Sequence, residues 1–486
     1  MMRTRRRDCS GYLTVYVSLT LTVLISLCLV LIEGVRRSTI RLETECVMDV
    51  GLNSVLAEYH RELFKQYNLF AIDSSYGTAY PSYYNTEARL RYYLEQNLDY
   101  DSCRYFSFLY KDFLAMELKG IQLTQASLLT DGDGSVFRQS AVEAMRDEVG
   151  LELLEQLLSW VQTVEGQGLL DRDVEAEKDA VDARLRKYPQ LSGETWNTVE
   201  IQNPTEAVNR MRSAGALRWV VEDVEELSAQ SVLLEQYPSA RRSRGELNRG
   251  TGGGEQESGL AEEMFEAFLF REYLLRYSGC YTGEKQESLL KYQTEYLIAG
   301  EAGDRDNLKS VVNRICAVRE AANVIYLMGD EEKRSGVQLI SQVLSAALMV
   351  PEAQPLFETA ILLGWAYLES LYDVRTLLAG GGVPLLKQEK DWHYGLDNIF
   401  ESPETDSSLG NSDGLSYVDY LRILLYLADA QQLTFRFLDL MEMDIRQTKG
   451  NESFRVDGCI TWIRAVGTIA SKYGSEYEID RSLGYE

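Results

Sequence analysis

Two groups of carboxylates are the candidates for chemistry in this chain. Glu295, Glu301, Asp304 and Asp306 crowd near the start of an amphipathic segment, and Glu369 and Asp373 lie one helical turn apart in an otherwise apolar one, with Arg375 close by. Paired carboxylates can serve as general acid and base when their surroundings separate the two pKa values. Each group also has a structural reading. Acids in a first helical turn cap free amides and complement the helix dipole. Charges on an apolar helix face are costly to bury alone, so Glu369 and Asp373 predict a structural ion-pair network. The structural reading is preferred for both.

Other motifs lack parts that their chemistry requires. Gly410-Asn411-Ser412-Asp413-Gly414 has the spacing of a nucleophile elbow, but no apolar strand precedes it, and both histidines, His60 and His393, lie upstream of the serine. A turn feeding the capping box Ser416-x-x-Asp419 accounts for it better. Asp73-Ser74-Ser75-Tyr76-Gly77 opens like a metal-ion adhesion motif but has Gly77 in place of the last serine, and reads as a turn. Asp131-Gly132-Asp133-Gly134 lacks the third ligand of a calcium loop and has Val142 where the bidentate Glu belongs. Gly380-Gly381-Gly382 has no following Lys-Ser/Thr and reads as a helix terminator. Seven cysteines form no C-x-x-C, and the five beyond the apolar segment are an odd number, so no complete disulfide framework is indicated. The expectation is a non-enzyme with no catalytic residue, metal or cofactor assigned. A membrane-tethered surface hydrolase using one of the carboxylate groups is the alternative, and an extracellular ligand-binding domain is a third reading.

Composition points the same way. The 486 residues include 75 acidic and 49 basic side chains, a net charge of −26, which argues against nucleic acid as a partner. Two histidines make a His-based zinc site improbable. Apolar residues at 45% and charged residues at 26% suit a chain that buries a sizeable core in two or three packing units. Thirty tyrosines suit extensive half-wet contact surfaces.

The elements that position these residues begin with a membrane anchor. Tyr12 to Ile32 carries no charge; as a helix it is roughly 31 Å long, enough for a hydrocarbon core about 30 Å thick. Arg3, Arg5, Arg6 and Arg7 precede it, whereas Glu33 and later acids balance the arginines behind it. The positive-inside bias then puts the N-terminus in the cytoplasm and the bulk of the chain outside. Thr14, Ser18, Thr22 and Ser26 recur every fourth residue and form a stripe that lets another transmembrane helix approach closely; the alternative is that each hydroxyl bonds its own helix. No second span is expected: Ser335 to Pro351, the longest later uncharged run, reads as a buried helix.

The fold class expected is mainly α, as α+β. Residues 1–11 form a basic cytoplasmic segment, 12–32 the transmembrane helix, 33–70 a helical stalk, 71–240 a mixed α+β proximal lobe, 241–259 a flexible linker and 260–486 a helical distal lobe. Met116 to Ser127 supplies the strand candidates, and a long helix is expected over 136–164. Further helices are expected over about 260–278, 285–299, 305–328, 331–349, 355–379, 415–446 and 457–473.

The basic start, Gly11, the Thr14-Val15 opening, Glu33 and Arg36 together resemble the pilin-like segment of TadE/TadG-type proteins from tight-adherence (Tad/Flp) pilus loci. More of the chain resembles an uncharacterised family of single-pass membrane proteins of Gram-positive bacteria. The matching stretches include Tyr59 in Ala57–Leu63, Glu295 and Tyr296 in Tyr292–Gly300, Asn307 in Asp306–Lys309, Trp365 with Glu369, Asp373 and Arg375, and Tyr417 and Tyr420 in Leu415–Leu421. The resemblance implies a membrane-anchored component of a pilus or secretion machine, with other membrane or pilin-like proteins and membrane lipid as its partners.

Overall fold

The computed structural model describes residues 10–78, 80–99, 114–146, 148, 150–188, 204–241, 260–285, 287–396, 414–474 and 476–485. Arg3, Arg5, Arg6, Arg7, two of the seven cysteines (Cys9 and Cys103), residues 242–259 of the expected 241–259 linker and Gly410 to Asp413 lie outside the described residues. Within them are fifteen α-helices and one four-stranded sheet, so the fold is mainly α with some β, as expected. The chain forms two compact units: one takes residues up to Gly132 and from Ser453 onward, the other the intervening chain.

In the first unit, α1 (Ser10–Leu56) is followed by α2 (Arg61–Tyr67), β1 (Ile72–Asp73), α3 (Tyr83–Leu98) and β2 (Met116–Leu128). The C-terminal β3 (Cys459–Ser471) and β4 (Glu476–Gly484) complete it. β3 is the central strand. β2 lies antiparallel along one side of it, from Met116 opposite Ser471 to Leu128 opposite Ile460, and β1 and β4 pair with the other side. The expectation of a helix over 457–473 is therefore wrong. Ile460, Thr461, Ile463, Val466, Thr468 and Ile469 are β-branched and favour a pleated backbone. Their burial alternates, with Ile463, Ala465, Gly467 and Ile469 inward and Arg464, Val466, Thr468 and Ala470 outward.

The expected stalk is corrected too. Along α1, Ile40, Thr44, Val47, Met48, Gly51, Leu52 and Val55 form one buried face that shares a core with Ile463 and Ile469 of β3 and Leu90 and Leu94 of α3. That spacing is the amphipathic signature of a helix covering a sheet. A side chain at Gly51 would meet Leu94 Cδ2 at 2.7 Å, so glycine lets α3 lie close. The helix ends at Leu56, and α2 follows a break, its amides capped by His60. From Ile40 onward the expected stalk thus builds the body of the unit instead of lifting it.

The second unit begins with α4 (Asp131–Met145), α5 (Leu151–Gly166), α6 (Val174–Leu185), α7 (Pro204–Ala214) and α8 (Leu217–Val220). It continues with α9 (Leu260–Tyr277), α10 (Gln293–Ala299), α11 (Asp304–Gly329), α12 (Glu331–Ala347), α13 (Gln354–Leu378), α14 (Tyr417–Leu427) and α15 (Ala430–Arg446). α13 is the central element, packed by α11, α12, α6 and α7. The Asp131–Gly134 turn is left-handed, with φ of 58°, 53° and 77° at Gly132, Asp133 and Gly134. Three expected helices are shorter or split. Residues 136–164 form α4 and α5, 285–299 is helical only in α10, and 415–446 breaks at Ala428, where Asp429 caps α15. The Ser335–Pro351 run is not wholly buried: Leu339 and Val343 are 64% and 57% exposed, and Val337, Ser341 and Leu344 face inward.

Candidate functional site

Glu369 and Asp373 come from adjacent turns of α13 and are both buried. Lys387, from the loop after α13, bridges them, contacting Glu369 Oε1 and lying 2.5 Å from Asp373 Oδ1. Arg319, fully buried on α11, donates from Nε to Asp373 Oδ2 at 3.0 Å. Its Nη1 donates to the carbonyls of Pro384 and Leu385 at 2.9 and 2.7 Å and to the Tyr420 hydroxyl at 3.2 Å. Asn323 donates to the same Asp373 oxygen at 3.2 Å. Two cations thus balance two carboxylates. Burial raises Asp373, but Arg319 and Lys387 outweigh it and hold the acid below its ordinary range. Burial raises Glu369 against the pull of Lys387.

The expected ion-pair network is present. Its cations for Asp373 are Arg319 and Lys387. Arg319 had a readable signal, since it continues the buried Val312, Ile315, Cys316 face of α11. Lys387 sits in a loop with no periodicity to flag it. The loop is tied down further: Glu369 accepts from the His393 and Tyr394 amides, both at 2.9 Å, and Trp365 Nε1 donates to the Tyr394 carbonyl at 2.9 Å.

The first carboxylate group divides by role. Asp304 is buried and accepts from Ser228 Oγ at 2.6 Å and from the Lys291 and Tyr292 amides at 3.0 and 3.2 Å. It occupies the first turn of α11, and the N-cap is Gly303. Asn307 closes the preceding loop by donating to the Glu301 and Gly303 carbonyls, both at 2.9 Å. Tyr296 donates to Asp439 Oδ2 at 2.6 Å; burial pushes Asp439 up to about 6. Ser416 and Asp419 form the expected capping box.

Glu295 differs from the rest. It is fully buried, and its Oε1 accepts from the Tyr281 amide at 2.9 Å and the Tyr417 hydroxyl at 2.8 Å, while Oε2 has no hydrogen-bond partner among the described residues. Burial pushes it up to about 7, against those two donors. Between the unfolded value of about 4.3 and 7, the folded chain therefore holds a proton that the unfolded chain has released. This contribution is complete below the lower value and is lost as pH rises through about 7. Glu295→Gln should consequently be more stable than the parent at pH 8, by on the order of 3 kcal/mol, and nearly equal to it at pH 4.5. Thermal unfolding of both proteins at the two pH values is the measurement; parallel pH profiles would contradict it.

In the apolar part of α1, the hydroxyls of Ser18, Thr22 and Ser26 donate to Val15, Ser18 and Thr22 carbonyls at 3.0, 2.7 and 2.8 Å. Thr14 lies one turn earlier on the same exposed stripe. Glu33 is held by Arg36 at 2.6 Å and Arg37 at 2.9 Å. Tyr59 packs edge-on against Phe64 and Phe70 and, with Leu56, Leu483 and Tyr485, borders an open groove of about 380 Å³.

These contacts describe clamps: the carboxylates of Glu295, Asp304, Glu369 and Asp373 are bonded to backbone amides, hydroxyls or cations that join separate elements, whereas Glu301 and Asp306 are exposed. No set of three or more His, Cys, Asp or Glu side chains among the described residues is placed to hold a metal ion. The five described cysteines, Cys28, Cys46, Cys280, Cys316 and Cys459, are free thiols. Neither a curated protein nor a solved structure matches the chain. The profile of a family of unknown function, DUF5702, matches residues 194–471, a span holding every clamp described above, and the chain belongs to that family.

Proposed function

We propose that the protein is a non-enzymatic, single-pass membrane protein acting as a minor pilin-like or assembly component of a tight-adherence-type pilus or secretion machine. Its N-terminus is cytoplasmic and its two units are extracellular. The observation that carries this reading is the division of α1. One helix leaves an apolar, lipid-length half exposed from Tyr12 to Ile32, long and apolar enough to cross a membrane, and builds its other half into the core of the first unit. Such a helix transmits force from bilayer to body without a flexible joint, as an assembly component requires. The pilin-like character of the N-terminal residues supports the same assignment.

The Thr14, Ser18, Thr22 and Ser26 stripe supplies a narrow face for a second transmembrane helix. Because three of these hydroxyls already donate within α1, the stripe contributes close approach more than new hydrogen bonds. The buried clamps suit a body that must keep its shape under load, and the partners are other membrane or pilin-like proteins. Affinity isolation of the full-length chain from cross-linked native membranes tests the assignment. Recovery with a pilin or an assembly-platform subunit is the expected result. Repeated recovery with neither, from cells shown to assemble pili, would overturn it.

A further inference from the structure

We infer that the turn between β3 and β4 seats in the phospholipid headgroup layer, so that the first unit rests directly on the bilayer. This rests on the membrane-anchored reading above and adds a lipid-contacting surface remote in sequence from the anchor. β4 climbs beside α1 in step with it. Tyr477 donates to the Arg37 carbonyl at 3.4 Å, Arg481 pairs with Glu45 and Asp49 at 3.4 and 3.5 Å, and the Tyr485 hydroxyl donates to the Leu56 carbonyl. From Arg37 to Leu56 a helix rises about 28 Å, and from Tyr477 to Tyr485 a strand rises about 26 Å. The two elements therefore run alongside each other for their whole shared length, and the turn that opens β4 lies at the membrane-proximal end.

The turn's level is fixed by one contact. The Arg36 guanidinium lies over the Tyr473 ring, 4.0 Å from its centroid. Arg36 is four residues past Ile32, hence about 6 Å beyond the end of the uncharged segment. A headgroup layer is roughly 5 to 8 Å thick on each side of the hydrocarbon, so Tyr473 falls within it. The side chains there match that environment. Tyr473 is 53% exposed despite the stacking, Lys472 is exposed, and the Arg37 side chain is 65% exposed. Glu33, the carboxylate at this level of α1, is neutralised by Arg36 and Arg37. Glu476 pairs with the outward-facing Ala470 and so lies on the sheet face away from α1. An aromatic ring with basic neighbours is what lipid phosphates and glycerol backbones favour.

The test uses the full-length chain in phospholipid vesicles with a benzophenone amino acid at position 473, and in separate chains at 21 and at 80. Tyr80 is 77% exposed in the same unit and serves as the off-membrane control, and position 21 lies inside the apolar segment. Irradiation should give lipid adducts at 21 and 473 and none above background at 80. Adducts at 21 with none at 473, or adducts at 473 only to protein, would overturn the seating while leaving the anchor intact. No adduct at 21 would instead remove the anchored reading. A measurement on the unmodified chain guards against a fold damaged by the substitution: acylation of Lys472 should slow in vesicles relative to detergent, with exposed Lys449 as internal reference. Equal slowing or none at Lys472 would overturn the seating as well.

Discussion

Arg319→Met should cost the helical unit about 3 to 5 kcal/mol, the range for breaking a buried charge cluster from one side. The loss exceeds one ion pair because Arg319, with no exposed surface, satisfies Asp373, two loop carbonyls and the Tyr420 hydroxyl at once. Methionine fills similar volume, so little of the effect comes from a cavity. What remains is a buried pair of carboxylates facing the single cation Lys387, together with two carbonyls without donors. The sharper form of the prediction is non-additivity. Adding Asp373→Leu removes the uncompensated charge and leaves Lys387 with Glu369, so the double variant should be more stable than the sum of the two single losses by at least about 1 kcal/mol. Urea unfolding of the four proteins, followed at a wavelength reporting Trp365 and Trp392 beside the cluster, decides the matter. Additive losses would show that the charges are not coupled as the distances imply.

This cluster also shows where the sequence was legible. Glu369 and Asp373 were readable because both lie on one helix, where a fixed 3.6-residue period turns spacing into geometry. Their cations come from another helix and a loop, and no local pattern links residue 319 or 387 to residue 373. The same limit explains β3. Its ladder partner β2 precedes it by more than three hundred residues, so no neighbouring segment marks the pairing, and Ala465, Gly467 and Ala470 dilute the alternating pattern. Local signals fared better: the Ser416–Asp419 box, the ends of α9 and α11, and the Gly380 turn with φ of 87° all stand where their residues demanded. The stalk expectation fails for a different reason. An apolar stripe says that a helix face is covered but not by what, and here the cover is the chain's own sheet.

Leu21→Arg combined with Ile25→Arg should abolish stable membrane association. Each arginine near the middle of a transmembrane helix costs about 2.5 to 3.5 kcal/mol on an insertion scale, and each lost Leu or Ile forfeits about a further 0.5 kcal/mol. Together they amount to roughly 6 to 8 kcal/mol, four to six orders of magnitude in partitioning by the factor of ten per 1.4 kcal/mol. Both positions are more than half exposed in the folded chain, and the buried face of α1 begins only at Ile40, so the first unit has no need of either side chain. The variant should therefore remain folded yet leave the alkaline-carbonate pellet, and its body should become inaccessible to protease added to wall-stripped cells. Two arginines at Leu339 and Val343, also more than half exposed, on α12 and four residues apart, supply the control: they add the same charge and should leave the membrane fraction unchanged. If the Leu21/Ile25 variant stayed in the carbonate pellet, the exposed apolar half of α1 would not be what fastens the chain. If instead both variants left the pellet, charge in general would be responsible, and the position-specific cost of a hydrocarbon interior would have no part in it.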